Sequence, residues 1–257
     1  MRYLVLSDIH ANLEALEATL AAADAYDATL VLGDLVGYGA DPNAVIECVR
    51  GLQPAVVIRG NHDKVAARLE GVEGFNQIAR EAIEWTSDAL TAENRAWLAA
   101  LPQGPVVIDD TVEICHGSPF DEDMYVFDDL DALRSIRATR RPLCLFGHTH
   151  IPAIFRLSGE ASEPNGVSPG RALIELIGPP RGASHTLTLE DHVHYLVNCG
   201  AIGQPRDGDS RAGYGIVDTN ARTVVTMRIG YDVTTAQMKI IKAGLPDILA
   251  KRLSVGR

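Results

Sequence analysis

Ala55-Val56-Val57-Ile58-Arg59-Gly60-Asn61-His62-Asp63 is a short apolar run that ends abruptly in a glycine, an amide, an imidazole and a carboxylate. Val and Ile suit a buried pleated strand, and a run of this length bounded by glycine reads as one. The polar residues put chemistry at the strand's end and not in its interior. An amide oxygen beside an imidazole can hold a metal, hold a phosphate or move a proton, and the rest of the chain has to decide which.

The same grammar occurs four more times. Tyr3-Leu4-Val5-Leu6 runs into Ser7-Asp8-Ile9-His10, and Leu30-Val31-Leu32 into Gly33-Asp34. Val112-Glu113-Ile114 leads to His116-Gly117, and Leu143-Cys144-Leu145-Phe146 to Gly147-His148-Thr149-His150. Between the first three runs lie helical patterns. Leu13, Leu16, Leu20 and Ala23 recur at helical spacing with Glu14 and Glu17 on another face, so residues 12 to about 25 read as an amphipathic helix. Asp41-Pro42 supplies a cap and a first-turn proline for a second helix carrying Val45, Ile46 and Val49, with Gly51 as its stop. This is β-α-β-α-β, the order of a largely parallel sheet with right-handed crossovers.

Residues 77–101 read as helix in two pieces broken near Thr91, with Ile83, Trp85, Trp97 and Leu98 as core candidates. Val106–Ile108 and Val112–Ile114, turned at Asp109-Asp110, read as a hairpin. The acidic stretch 121–131 reads as a solvated loop, and Leu130, Leu133 and Ile136 mark a short helix. After Pro152, alternating segments at 153–157, 172–177, 192–197, 215–217 and 224–229 read as antiparallel strands, with 158–171 as a mobile surface loop. Two short helices around Gly244-Leu245-Pro246 complete the chain, which is expected to be one domain over residues 1–257.

Bulk properties narrow the function. Hydrophobic residues are 46% of the 257 and charged residues 22%, the balance of a folded globular protein. No apolar run reaches the ~20 residues that span a bilayer, and Tyr3–Leu6 is too short for a signal peptide, so a cytoplasmic protein without membrane attachment is expected. Cys48, Cys115, Cys144 and Cys199 show no C-x-x-C spacing and are expected to be reduced and packed. A formal charge of −11 with no Lys/Arg stripe argues against long nucleic acid as a partner.

In open α/β sheets ligands sit beyond the carboxyl ends of the strands, where all five polar clusters fall. Singly they say little: Asp8-Ile9-His10 also suits a helix cap with a stray histidine, and Gly33-Asp34 a turn. Together they bring Asp8, His10, Asp34, Asn61, His62, His116, His148 and His150 to one place, more donors than one divalent ion uses. Two ions ~3.5–4 Å apart, clamping a phosphoryl group and activating a water, are the natural inference.

With these motifs in order, the chain resembles the calcineurin-like metallophosphoesterases, whose D-x-H, G-D, G-N-H-D/E, H and G-H-x-H motifs are all present over about the first 155 residues. Asn198-Cys199-Gly200-Ala201-Ile202-Gly203-Gln204-Pro205-Arg206 is similar to the N-P-G-S-x-G-Q-P-R loop of the small bacterial phosphodiesterase-like branch, with Cys199 and Ala201 in place of proline and serine. The resemblance implies an α/β fold of the α+β sandwich type: two packed mixed β-sheets flanked by helices, with a dinuclear metal site at the C-terminal ends of strands. It implies one metal on Asp8, His10 and His150, the other on Asn61, His116 and His148, and Asp34 bridging both. His62 is left to face the substrate and protonate the leaving group, with Asn61 beside it in substrate binding.

The cofactors implied are two divalent transition-metal ions, Mn first, with Fe, Ni, Co or Zn as alternatives. A small phosphorylated substrate is expected, nucleotide-like and a phosphodiester; a phosphomonoesterase or a non-catalytic scaffold of the same fold is the alternative. Gly33-Asp34-Leu35-Val36-Gly37-Tyr38-Gly39 lacks the arginine of the protein phosphatases' G-D-x-x-D-R-G, which argues against phosphoprotein substrates. Four roles stay open. Asp63 can orient His62 or cap the next helix, Tyr38 can pack or touch substrate, Arg206 sits in a polar loop suited to contact, and Cys199 reads as a packed thiol. His185, His192 and His194 read as structural or surface residues, and the later strands offer edges for homo-oligomer formation.

Overall fold

The computed structural model describes residues 1–159, 173–177 and 182–257. The strands among them are β1 (Arg2–Leu6), β2 (Ala28–Val31), β3 (Ala55–Val57), β4 (Val106–Val107), β5 (Val112–Ile114) and β6 (Leu143–Leu145). They continue with β7 (Ala153–Ser158), β8 (Leu173–Leu176), β9 (Ser184–Thr188), β10 (His194–Asn198), β11 (Ala212–Asp218) and β12 (Thr223–Ile229). The helices are α1 (Leu13–Ala22), α2 (Pro42–Gly51), α3 (Asn61–Ala66), α4 (Gln77–Ala89), α5 (Ala92–Ala99), α6 (Asp129–Ala138), α7 (Val233–Lys242) and α8 (Asp247–Leu253).

Two six-stranded mixed sheets result, ordered β3-β2-β1-β11-β12-β9 and β4-β5-β6-β10-β7-β8. In the first, β1, β2 and β3 run parallel; in the second, β5, β6 and β10 do. Alternation along β1 shows how the layers are held. Leu4 and Leu6 join Leu16, Val45 and Ile46 in a core under α1 and α2. Tyr3 and Val5 point the other way, into a core shared with Ile114, Leu145 and Val197 of the second sheet. Phe146, Phe155 and Leu196 pack with Ala132 and Ile136 of α6 on that sheet's outer face. With both faces buried, a parallel strand must read as a continuous apolar run, which is why these strands are easy to see in the sequence.

Several expectations are corrected. The first helix ends at Ala22, with Ala23 already extended. Asp41 makes no side-chain cap bond; its carboxylate instead takes the Lys239 ammonium at 2.8 Å. Gly51 is the last residue of α2, and the stop is extended Leu52. Trp85 and Trp97 are only half-buried, because Ala82 and Ile83 hold the inward face of α4 and Leu98 that of α5. Leu130 is exposed, since Ala132, Ser135 and Ile136 face inward on α6.

β10 starts at His194, and pairs antiparallel with β7 but parallel with β6, so it belongs to the middle of the second sheet. β9 was not foreseen: in Ser184-His185-Thr186-Leu187-Thr188 only Leu187 is buried, too little alternation to mark a strand. Most of the expected mobile loop at 158–171 lies outside the described residues. No helix among the described residues is long and apolar enough to cross a membrane. Cys115, Cys144 and Cys199 are buried free thiols.

Candidate metal centre

Every polar cluster sits at the C-terminal end of a parallel strand, and after β1, β2 and β6 the chain leaves the sheet through a strained turn. Asp8, His10, Asp34, His148 and His150 have φ of 52°, 47°, 54°, 66° and 60°, a left-handed region costly for residues with a Cβ. The turns are tied to one another. Asp8 and His10 donate from the backbone to Gly33 (3.1 Å) and Asp34 (3.0 Å), and the Asn198 amide donates to the Gly147 carbonyl (2.9 Å) and Thr149 Oγ1 (3.0 Å). Gly60 is needed for space: a Cβ there would run into the Asp34 carboxylate and its backbone nitrogen.

The result is two groups of convergent donors, Asp8, His10, Asp34 and His150 in one and Asp34, His116 and His148 in the other, with donor atoms within 4.8 Å inside each group. Asp34 is common to both. His10 Nε2 is 3.5 Å from Asp34 Oδ2, His116 Nε2 is 3.4 Å from Asp34 Oδ1, and His150 Nε2 is 3.5 Å from Asp8 Oδ1. Asn61 Oδ1 joins the second group, 3.2 Å from His116 Nε2. All but Asn61 are buried.

The hydrogen bonds around these donors fit metal ions. His10 Nδ1 faces the Val36 carbonyl at 3.0 Å, His150 Nδ1 the Gln204 carbonyl at 2.7 Å and His116 Nδ1 the Leu32 carbonyl at 2.8 Å. A carbonyl only accepts, so each Nδ1 carries the hydrogen and each neutral ring presents its Nε2 lone pair inward. His10 and His150 then aim their Nε2 lone pairs at each other across 3.0 Å, an arrangement that calls for a cation. His148 is turned round: Nε2 donates to the Asp123 carbonyl (3.1 Å), leaving Nδ1 as its donor. Asp34 Oδ2 is buried without any hydrogen-bond partner. Carbonyls that fix ligand tautomers are the usual outer layer of a metal site.

The electrostatics agree. Burial disfavours charge on His10 and His150, holding both well below the usual histidine range, and pushes His148 down to about 3. Burial also opposes charge on His116, but the Asp34 and Asp8 carboxylates prevail and raise it to about 10. Burial pushes Asp8 up to about 6. Without metal, His116 thus keeps a proton at pH 7 that a ligand nitrogen must give up. Mn²⁺ loading is expected to release about one proton per chain and to weaken as pH falls. Calorimetry in buffers of different ionisation enthalpy should show this, and a buffer-independent heat would contradict it.

His62 belongs to neither donor group. Its N–H donates to Asp34 Oδ1 (2.9 Å), while its ring stands edge-on to Phe75 (4.7 Å) and His10 (4.8 Å) and lies 4.5 Å from Tyr38. Nδ1 is buried and has no partner. Burial lowers His62 to about 4, against the pull of Asp34, so the imidazolium expected from the sequence is not favoured by the protein alone. Asp63 resolves to a cap: its carboxylate accepts from the Gly60 (2.9 Å) and Val36 (3.2 Å) amides. Tyr38 is buried yet lies against both His10 and His62, so it packs within the site. Cys199 packs against Gly215, as expected for a buried thiol.

The acidic loop after His116 is not simply solvated. Glu122 is buried and takes Arg59 (3.0 Å) and Lys64 (3.2 Å), while Asp123 takes Lys64 (2.7 Å). These pairs clamp the loop to α3 and so set the Asp123 carbonyl against His148. Tyr125 from the same loop stacks on His148 at 3.9 Å. A cavity of about 210 Å³ lined by Asn61, Lys64, Phe75, Tyr125 and His148 opens at this side. None of this outer layer was foreseen: backbone carbonyls leave no mark in a sequence, and a run of acids reads as surface.

Comparison with known proteins follows the same lines. The family model of the calcineurin-like phosphoesterase superfamily domain matches residues 1–222. An uncharacterized protein of Methanocaldococcus jannaschii is 32% identical over 98% of this chain and 97% of its own. The crystal structure of a metallophosphoesterase from Sphaerobacter thermophilus is 37% identical with a TM-score of 0.83, covering 100% of this chain and 99% of that one. A hypothetical protein from Pyrococcus horikoshii shares the fold at 20% identity and a TM-score of 0.76, covering 100% and 98%.

Proposed function

The chain belongs to the calcineurin-like phosphoesterase superfamily, and from that premise we propose that it hydrolyses phosphodiesters of small nucleotide-like molecules with two divalent ions held in the buried cluster. Asp8, His10 and His150 hold one, Asn61, His116 and His148 the other, and Asp34 serves both. The observation that carries this reading is Asp34, common to both donor groups and with one carboxylate oxygen free of any hydrogen bond. When bound, such ions polarise a phosphoryl group and lower the pKa of water toward neutrality. Mn is the first choice; Fe, Ni, Co and Zn suit the same mixed nitrogen and oxygen donors.

The protein's own groups do the rest. Asn61 and His62 meet the substrate phosphate from α3, and the negative charge of that phosphate offsets the burial that holds His62 neutral. His62 then protonates the leaving oxygen as general acid. Tyr38 and Phe75 fix the ring for that transfer. We read residues 1–257 as one domain, because α7 and α8 pack against Tyr38, Ala79 and Ala82 beside the site, and as cytoplasmic, in keeping with four free cysteines.

The test is turnover of bis(p-nitrophenyl) phosphate and p-nitrophenyl phosphate by chelated protein given Mn²⁺. Metal-restored hydrolysis with the diester preferred is expected. A monoester preference would select the phosphomonoesterase reading, and no restored turnover of either would select the scaffold.

A further inference from the structure

The loop after β10 pairs off its charges and leaves one over. Asp209 takes Arg211 at 2.6 Å and Asp207 takes Arg228. Among the described residues Arg206 has no carboxylate within ion-pair distance; its guanidinium meets Gln204 Oε1 at 3.1 Å and lies 5.7 Å from the centre of the Tyr38 ring. That ring is 4.7 Å from His10 and 4.5 Å from His62. Arg206 is also tied to the metal cradle by its backbone, since its N–H donates to the His150 carbonyl (3.3 Å) and the nearby Gln204 carbonyl takes His150 Nδ1. Its charge is felt at His10, His62, His148 and His150, where it opposes protonation.

A fixed cation beside a cradle for two divalent ions repels them and weakens their binding. The arrangement makes sense once an anion lies between them. A guanidinium fork matches the oxygens of a phosphate, and the cation–π contact with Tyr38 together with the Gln204 hydrogen bond restrains the fork before the ligand arrives.

We propose that Arg206, braced over Tyr38, is the phosphate-recognition residue of this site and binds a non-bridging oxygen of the substrate phosphate on the His62 side. This rests on the phosphoesterase reading for the identity of the anion. The probe is inorganic phosphate, titrated into Mn²⁺-loaded protein by calorimetry and used as a competitive inhibitor of bis(p-nitrophenyl) phosphate hydrolysis. Arg206→Gln is expected to raise the phosphate Kd and the KM by roughly 10–100-fold, the range of one charge-assisted hydrogen bond, with a smaller change in kcat.

Arg206→Lys, which keeps the charge but loses the fork, should fall between the two. Both variants should keep the melting temperature and the metal content of the unsubstituted protein. Unchanged phosphate affinity in Arg206→Gln, or a loss of metal that accounts for the effect, overturns the proposal. If phosphate binds through Arg206 but no ester is hydrolysed, the phosphoesterase reading fails alone. If esters are hydrolysed equally well by Arg206→Gln, the Arg206 proposal fails alone.

Discussion

Asp34→Asn is expected to eliminate measurable metal-dependent turnover and to weaken metal binding by at least ~100-fold, beyond the ~10–100-fold typical of losing an outer partner. Asp34 is the one residue common to both donor groups, and it is fully buried among histidines. The amide keeps the size and one oxygen, so the Asp34 bond to the His62 N–H can persist. What it loses is the charge that offsets two cations and one of two oxygens able to serve them. Burial opposes the Asp34 charge, but His116, His62 and His10 outweigh it and hold the carboxyl well below its usual range, so the metal-free variant should melt lower than the metal-free parent at neutral pH. The rise in melting temperature that Mn²⁺ confers on the parent, through preferential binding to the folded state, should disappear. Differential scanning in the presence and absence of Mn²⁺ reads this without any activity assay, and a full Mn²⁺ shift in Asp34→Asn would contradict the assignment.

His62→Ala is expected to lower kcat by roughly 10²–10⁴, the range of a lost general acid, while two metal equivalents still bind. His62 is outside both donor groups and its Nδ1 makes no hydrogen bond, so metal retention follows from the geometry. The loss should depend on the leaving group. An alkoxide needs the proton far more than p-nitrophenolate does, so esters of simple alcohols should suffer most. Equal loss on both would mean that His62 acts only by packing between Tyr38 and Phe75.

The convergence of these donors was legible only from the set: each follows a buried strand, and five such endings point to one place where any one alone suits a cap or a turn. The same regularity exposed the β-α-β-α-β half and its two helices, and the break near Thr91 is where that side chain caps α5 by accepting from the Asn94 backbone amide. Tertiary context governed what was misread. Asp41 looks like a cap until Lys239, 198 residues away, claims its carboxylate. Glu122 looks like a solvated acid until Arg59 and Lys64 draw it in. The antiparallel reading of β10 holds for its pairing with β7, but its parallel pairing with β6, far back in the chain, lies beyond any local pattern. The burial of His62 beside Phe75 and Tyr38, which holds the ring neutral in the ligand-free protein, is likewise a property of the fold and leaves no local mark.

The most direct test of two metals serving one phosphoester site is a titration of chelated protein with Mn²⁺, following bound metal and bis(p-nitrophenyl) phosphate hydrolysis together. Hydrolysis should climb with occupancy and reach its plateau at two equivalents per chain. Binding of two equivalents with no hydrolysis of any ester, or full hydrolysis in the chelated protein before Mn²⁺ is added, would contradict the account.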